Sequence, residues 1–143
     1  MITNTNINDK TENKTVWVRV CPLDKIPENK AIGFTVNGQR MIVVRCGNQA
    51  RIMQGFCSHM LYPLADSKIE GCVMTCALHR SKFDVRDGTV VEWGVFPPLT
   101  GAALEAIRAE RSLRTYETRV SGDEVLLQWP SEKPENVRIS IRL

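Results

Sequence analysis

The feature that most constrains this chain is where its two histidines fall. Both lie in one stretch, Cys57 to Ser81 (CSHMLYPLADSKIEGCVMTCALHRS), and each stands a short step from a cysteine. The order is Cys57-x-His59, then sixteen residues, then Cys76-x-x-His79. Thiolate and imidazole are good metal donors, and two matching half-sites that use the whole histidine complement point to metal binding rather than to packed side chains. Two Cys and two His suit a closed tetrahedral zinc site. Structural zinc half-sites, however, usually collect both cysteines in one pair and both histidines in the other, whereas each half-site here is mixed. Mixed half-sites suit an iron–sulfur cluster in which the two cysteines hold one iron and the two histidines the other. With both histidines committed, no Ser–His–Asp arrangement is left to the chain.

Around these loops the sequence reads as short strands. Thr15 to Cys21 alternates Val16, Val18 and Val20 on one face. Ala31 to Val36 and Arg40 to Arg45 are apolar, β-branched runs joined by Asn37-Gly38, a dipeptide suited to the positive φ values of a tight hairpin. Gly47-Asn48 turns a second hairpin into Ala50 to Gln54. Strands are expected at Cys72 to Thr75, Phe83 to Val85 and Val90 to Trp93, with Asp87-Gly88 turning between the last two. Thr100 to Arg111 reads instead as a short helix, with Ala103, Leu104, Ile107 and Arg111 on one face and Thr100 as N-cap. Two strands follow, Leu113 to Val120 and Glu124 to Trp129, and Val137 to Leu143 alternates again as an added edge strand. Many short strands, frequent turns and one helix predict an all-β, antiparallel sandwich or barrel.

At 143 residues the chain is expected to form one domain. Residues 1–14 are rich in Asn, Thr and charge and read as a disordered arm. Residues 15–129 form the domain proper, with loops at 55–65 and 76–83 and the helical insertion at 100–112, and 130–143 form an extension. The charge of +3, from 19 basic and 16 acidic residues, is small and scattered, which gives no case for nucleic-acid binding. No segment approaches membrane-spanning length and no signal-peptide core is present, so no membrane association and a cytoplasmic location are expected. Five cysteines at irregular spacing argue against a disulfide framework. Cys21, Cys46 and Cys72 are then spare thiols at strand ends.

The pattern resembles Rieske iron–sulfur proteins, and most closely the small Rieske ferredoxins of multicomponent oxygenases, over Val16 to Gln128. That family's first loop, C-x-H-x-x-x-P-L, is matched by Cys57, His59, Pro63 and Leu64. Its second, C-x-x-H-x-S-x-F-D, is matched by Cys76, His79, Ser81, Phe83 and Asp84. Asp87-Gly88 matches the family's turn, and Pro97-Pro98-Leu99 falls where a proline-containing loop covers the cluster. The resemblance implies a β-sandwich with a cluster-binding subdomain and one [2Fe–2S] cluster held by Cys57, His59, Cys76 and His79, with Ser81 and Pro97 around it. It also implies a carrier that takes single electrons from a flavin- or NAD(P)H-linked reductase and delivers them to a terminal oxygenase, by transient docking at a rim of Met60, Leu61 and Pro97-Pro98. A small subunit of a larger reductase, of the nitrite-reductase kind, is the alternative within the family.

High-potential members add a disulfide clamp between the two loops. The corresponding positions here hold Tyr62 and Leu78, so the resemblance implies no clamp. Phe83 stands where those members carry a tyrosine, which removes a hydrogen-bond donor. Both differences imply a potential low in the Rieske range, at about −150 mV. Arg80 occupies a position where the family commonly has glycine.

Overall fold

The computed structural model of the chain describes residues 14–58, 62–77, 80–92 and 111–143. Twelve strands and two short 3-10 turns, Leu23–Lys25 and Pro134–Asn136, account for its regular structure there. The strands are β1 (Thr15–Pro22), β2 (Ile32–Val36), β3 (Gln39–Cys46), β4 (Gln49–Gln54), β5 (Lys68–Glu70), β6 (Val73–Thr75), β7 (Lys82–Asp84), β8 (Val90–Glu92), β9 (Thr115–Tyr116), β10 (Thr118–Ser121), β11 (Glu124–Pro130) and β12 (Ile139–Ile141). They form three antiparallel sheets, ordered β1-β11-β10, β12-β2-β3-β4-β9 and β5-β6-β7-β8.

The layering follows from β3. Its consecutive residues Met41, Ile42, Val43 and Val44 are all buried. Successive side chains on a strand point to opposite faces, so such a run needs cover on both sides. Met41 and Val43 join an apolar cluster with Val18, Phe34, Ile52 and Leu127. Ile42 and Val44 join a second cluster with Met53, Met74 and Phe83. The five-stranded sheet is therefore the middle layer, between the three-stranded sheet on one face and the four-stranded sheet on the other.

The hairpin expected at Asn37-Gly38 joins β2 to β3, with φ of 50° and 84° at these two residues. The edge strand expected from the C-terminal alternation is β12, which pairs antiparallel with β2. The single strand expected over Leu113 to Val120 is in fact two. β9 pairs with β4 in the middle sheet and β10 with β11 in the three-stranded sheet. Thr118 stabilises the crossing by accepting a hydrogen bond from the Ile52 amide (3.1 Å) and donating one to the Tyr116 carbonyl (2.8 Å). β5, Lys-Ile-Glu, is an addition to the expected set. The helix expected over Thr100 to Arg111 and the arm at 1–14 lie almost wholly outside the described residues, and Arg111 itself is not helical.

One expectation is overturned. Cys46 and Cys72 are joined in a disulfide, with their Cα atoms 5.4 Å apart. Cys46 ends β3, and Cys72 sits with Gly71 at the turn from β5 to β6, both at positive φ (56° and 62°). Two successive left-handed residues make a turn of the tight hairpin kind, and here it carries Cys72 to the end of β3, within disulfide reach. Cys21 of β1 remains a thiol, buried in the apolar cluster beneath the three-stranded sheet, and its pKa is pushed up to about 11, first by burial and then by the neighbouring Glu124 carboxylate.

Candidate metal centre

Cys57 follows β4 directly after Gly55 and Phe56. The Phe56–Pro63 bridge closes the base of this loop, and the Leu64 amide donates to the Gly55 carbonyl (2.9 Å). Gly55 is needed here, because a Cβ would come within 2.7 Å of the Arg40 carbonyl oxygen. Above that base, the Cys57 amide donates to the Tyr62 carbonyl (2.9 Å).

The second loop extends the β6–β7 ladder by one rung. The Cys76 amide donates to the Ser81 carbonyl (2.8 Å), and the Arg80 amide donates to the Cys76 carbonyl (2.8 Å). Arg80 adopts φ 62°, the left-handed conformation that glycine takes most cheaply. Its side chain is exposed, as expected for a charge with no buried partner. In both loops, then, a cysteine amide is bonded to the carbonyl five positions on.

Cys57 and Cys76 are 2% and 0% exposed and belong to one apolar cluster with Leu64, Ile69, Met74 and Phe83. Neither takes part in the disulfide. Tyr62, Pro63 and Ala65 of the first loop and Ala77 of the second line a common cleft of about 380 Å³ with Asp66 and Ser67. Ser81 is fully buried and Phe83 fills the core beneath the second loop. His59 and His79 lie outside the described residues, as do Met60, Leu61, Leu78, Pro97 and Pro98.

Three supports of the site carry no recognisable motif. Gln54 donates through Nε2 to the Phe56 carbonyl (2.6 Å), and its Oε1 accepts from the Arg114 amide (2.7 Å). Beside Cys57, the Ser58 hydroxyl donates to the Arg111 carbonyl (2.5 Å). At Gly88, with φ 78°, a Cβ would strike the Leu113 carbonyl oxygen at 2.7 Å, while its own carbonyl accepts from the Leu113 amide. The first two contacts bind the first loop to residues 111–114, and the third ties the Asp87-Gly88 turn to the same segment, links that sequence separation hides.

After the second loop, Asp84 accepts from the Arg86 amide and guanidinium (2.7–2.9 Å), and these hydrogen bonds hold its carboxyl below the usual carboxylate range. Asp87 is likewise held low, chiefly by hydrogen bonds from Thr89, which fix the turn into β8.

Residues 16–117 match the Rieske [2Fe–2S] domain, and the chain belongs to that family. It is 26% identical over 112 residues to the ferredoxin component of the naphthalene 1,2-dioxygenase/salicylate 5-hydroxylase systems of Ralstonia sp., covering 78% of this chain and 94% of the relative. It is also 26% identical to the biphenyl 2,3-dioxygenase ferredoxin component of Rhodococcus jostii strain RHA1, covering 76% of this chain and 89% of the relative. Among solved structures, the ferredoxin of carbazole 1,9a-dioxygenase from Nocardioides aromaticivorans IC177 superposes with a TM-score of 0.61 at 26% identity, covering 78% of this chain and 96% of the other.

Membership of this family implies a [2Fe–2S] cluster. The described residues fit one: two buried cysteines outside any disulfide, held at like positions in facing loops by their own backbone amides. Burial in an apolar cluster favours a site shielded from water, where thiolate ligands are protected from exchange and oxidation.

Proposed function

We propose that this chain is a Rieske-type ferredoxin that carries single electrons from an NAD(P)H-dependent reductase to a terminal oxygenase acting on an aromatic substrate. The observation that carries this reading is the pair of matching loops, with Cys57 and Cys76 buried in one apolar cluster. The named relatives are ferredoxin components of oxygenase systems, and they are matched over nearly their whole length.

Cys57 and Cys76 would hold one iron of a single cluster, and His59 and His79 the other. The cluster, when bound, supplies a one-electron couple, and its two neutral imidazoles raise the potential above that of all-cysteine ferredoxins. Ser81 stands beside Cys76 as a hydrogen-bond donor towards the site. Phe83 supplies packing and no hydroxyl, which keeps the potential low in the Rieske range, at about −150 mV. The chain's own part is to bury the thiolates, orient both loops through the Cys57 and Cys76 amides, and release each partner quickly from a small docking surface. The Rieske unit spans 15–129, with 1–14 as an arm and 130–143 as an extension, and the carrier works in the cytoplasm.

Iron, zinc and acid-labile sulfide analysis of aerobically purified protein, with visible and EPR spectra before and after reduction, tests this reading. Two irons and two sulfides per chain with a rhombic signal on reduction are expected. Stoichiometric zinc without visible absorption would overturn it.

A further inference from the structure

The Cys46–Cys72 disulfide lies outside the proposed ligand set, yet it grips the strand on which that set depends. Cys46 ends β3 in the middle sheet, and Cys72 immediately precedes β6 in the four-stranded sheet. β6 is only three residues long, Val73–Thr75, and Cys76 follows it directly. One end of this short strand is therefore tied covalently to the middle layer, and the other carries a candidate ligand. Cys46 and Cys72 also pack against the same apolar cluster that contains Cys57 and Cys76. The Cys72 carbonyl accepts from the Val85 amide (3.0 Å), which links the tied turn to the residue after β7 as well.

The bond is reachable. Both cysteines are only half-buried, and their neighbours Gly47 and Gly71 are exposed with open space around them. Arg51 and Arg86 line a small pocket with Cys46, and the Arg86 guanidinium is paired with the Asp84 carboxylate. Accessible disulfides are the ones that thiol reductants open.

We infer that Cys46 and Cys72 form a reversible thiol–disulfide switch that sets how firmly β6, and with it Cys76, is held against the middle sheet. In the opening step a dithiol reductant attacks the bond. The Cys46–Cys72 bond breaks, the reductant's two sulfurs become joined, and two electrons and two protons pass to the protein thiols. Closure runs the other way with a low-molecular-weight disulfide as oxidant, which leaves as two thiols. The consequence at the cluster rests on the function proposed above; the switch itself does not.

The test uses the full chain, equilibrated in buffers of graded reduced and oxidised glutathione, quenched by alkylation under denaturing conditions and mapped by mass spectrometry. Labelling of Cys46 and Cys72 is expected to fall together as the buffer becomes oxidising and to return with dithiothreitol. In the same buffers, hydrogen exchange at Val73–Thr75 and loss of visible absorbance should both run about tenfold faster in the reduced form. Cys46→Ser should show the fast rates in every buffer. Full labelling of both cysteines at every poise overturns the switch, and so does bond formation that leaves β6 exchange unchanged. If no buffer yields visible absorbance while β6 exchange still follows the bond, the switch stands and the electron-carrier reading fails.

Discussion

In the loop from Gly55 to Ala65 the Cys57 amide reaches the Tyr62 carbonyl, and in the loop from Cys76 to Phe83 the Cys76 amide reaches the Ser81 carbonyl. The bases are alike, and the supports differ. The second loop is held by its own hairpin: it prolongs the β6–β7 pairing and closes through Arg80 in the left-handed conformation. The first loop is held from afar, by Gln54 bridging Phe56 to Arg114 and by Ser58 meeting Arg111. The second loop's backbone hydrogen bonds close within its own hairpin, which the Cys46–Cys72 disulfide ties to the middle sheet. A loop built by non-local contacts forms only once the chain has returned at residues 111–114, with the loop-closure entropy that this entails. The two halves of one candidate centre thus depend on different parts of the fold.

The largest expected effect tests the likeness of the loops. Cys57→Ser and Cys76→Ser should each abolish cluster incorporation, read as iron content and visible absorbance. A variant that keeps full iron would show that its loop is not a ligand loop. Next, Gln54→Ala removes two hydrogen bonds from the first loop only. It should lower stability in urea unfolding by about 1–3 kcal/mol and speed hydrogen exchange at Cys57 more than at Cys76. Equal acceleration in both loops would break the distinction between local and distant support.

Arg80→Gly relieves a left-handed non-glycine residue in the second loop. It should raise stability by about 1 kcal/mol, whereas Arg80→Ala should give no gain, by the same measurement. The smallest effect concerns Asp84. Its pKa is lowered in the folded state by Arg86, so its contribution to stability is present above the ordinary carboxylate pKa of about 3.9 and is lost as pH falls through the lowered value. The stability difference between wild type and Asp84→Asn, followed by urea unfolding, should therefore shrink towards zero in acid.

Much of the second loop was legible in the sequence because its determinants are local. The Cys76-x-x-His79 spacing, the buried Ser81 and Phe83, and the Asp87-Gly88 turn all lie within a dozen or so residues. The first loop was legible only at its tip and base, in Cys57, Pro63 and Leu64. Neither Gln54 nor Ser58 bears a sign of its partner sixty or fifty-three residues away. β5 leaves no mark in the sequence because Lys-Ile-Glu has a single apolar residue, and a three-residue strand shows no periodicity.

By itself the sequence determined the family, the two cysteine-bearing loops, the Asn37-Gly38 hairpin and the C-terminal edge strand. Each is written in short-range patterns that residue chemistry and backbone geometry enforce locally. Only the tertiary structure decided which cysteines meet. Cys46 and Cys72 are 26 residues apart, one ending a strand of the middle sheet and the other in the turn between β5 and β6, and their pairing depends on that Gly71-Cys72 turn packing onto the end of β3. It also decided that the run from Leu113 to Val120 splits between two sheets, because a strand's partner is set by what lies beside it in space. The matching cysteines were readable in the chain, and the covalent tie behind one of them was not.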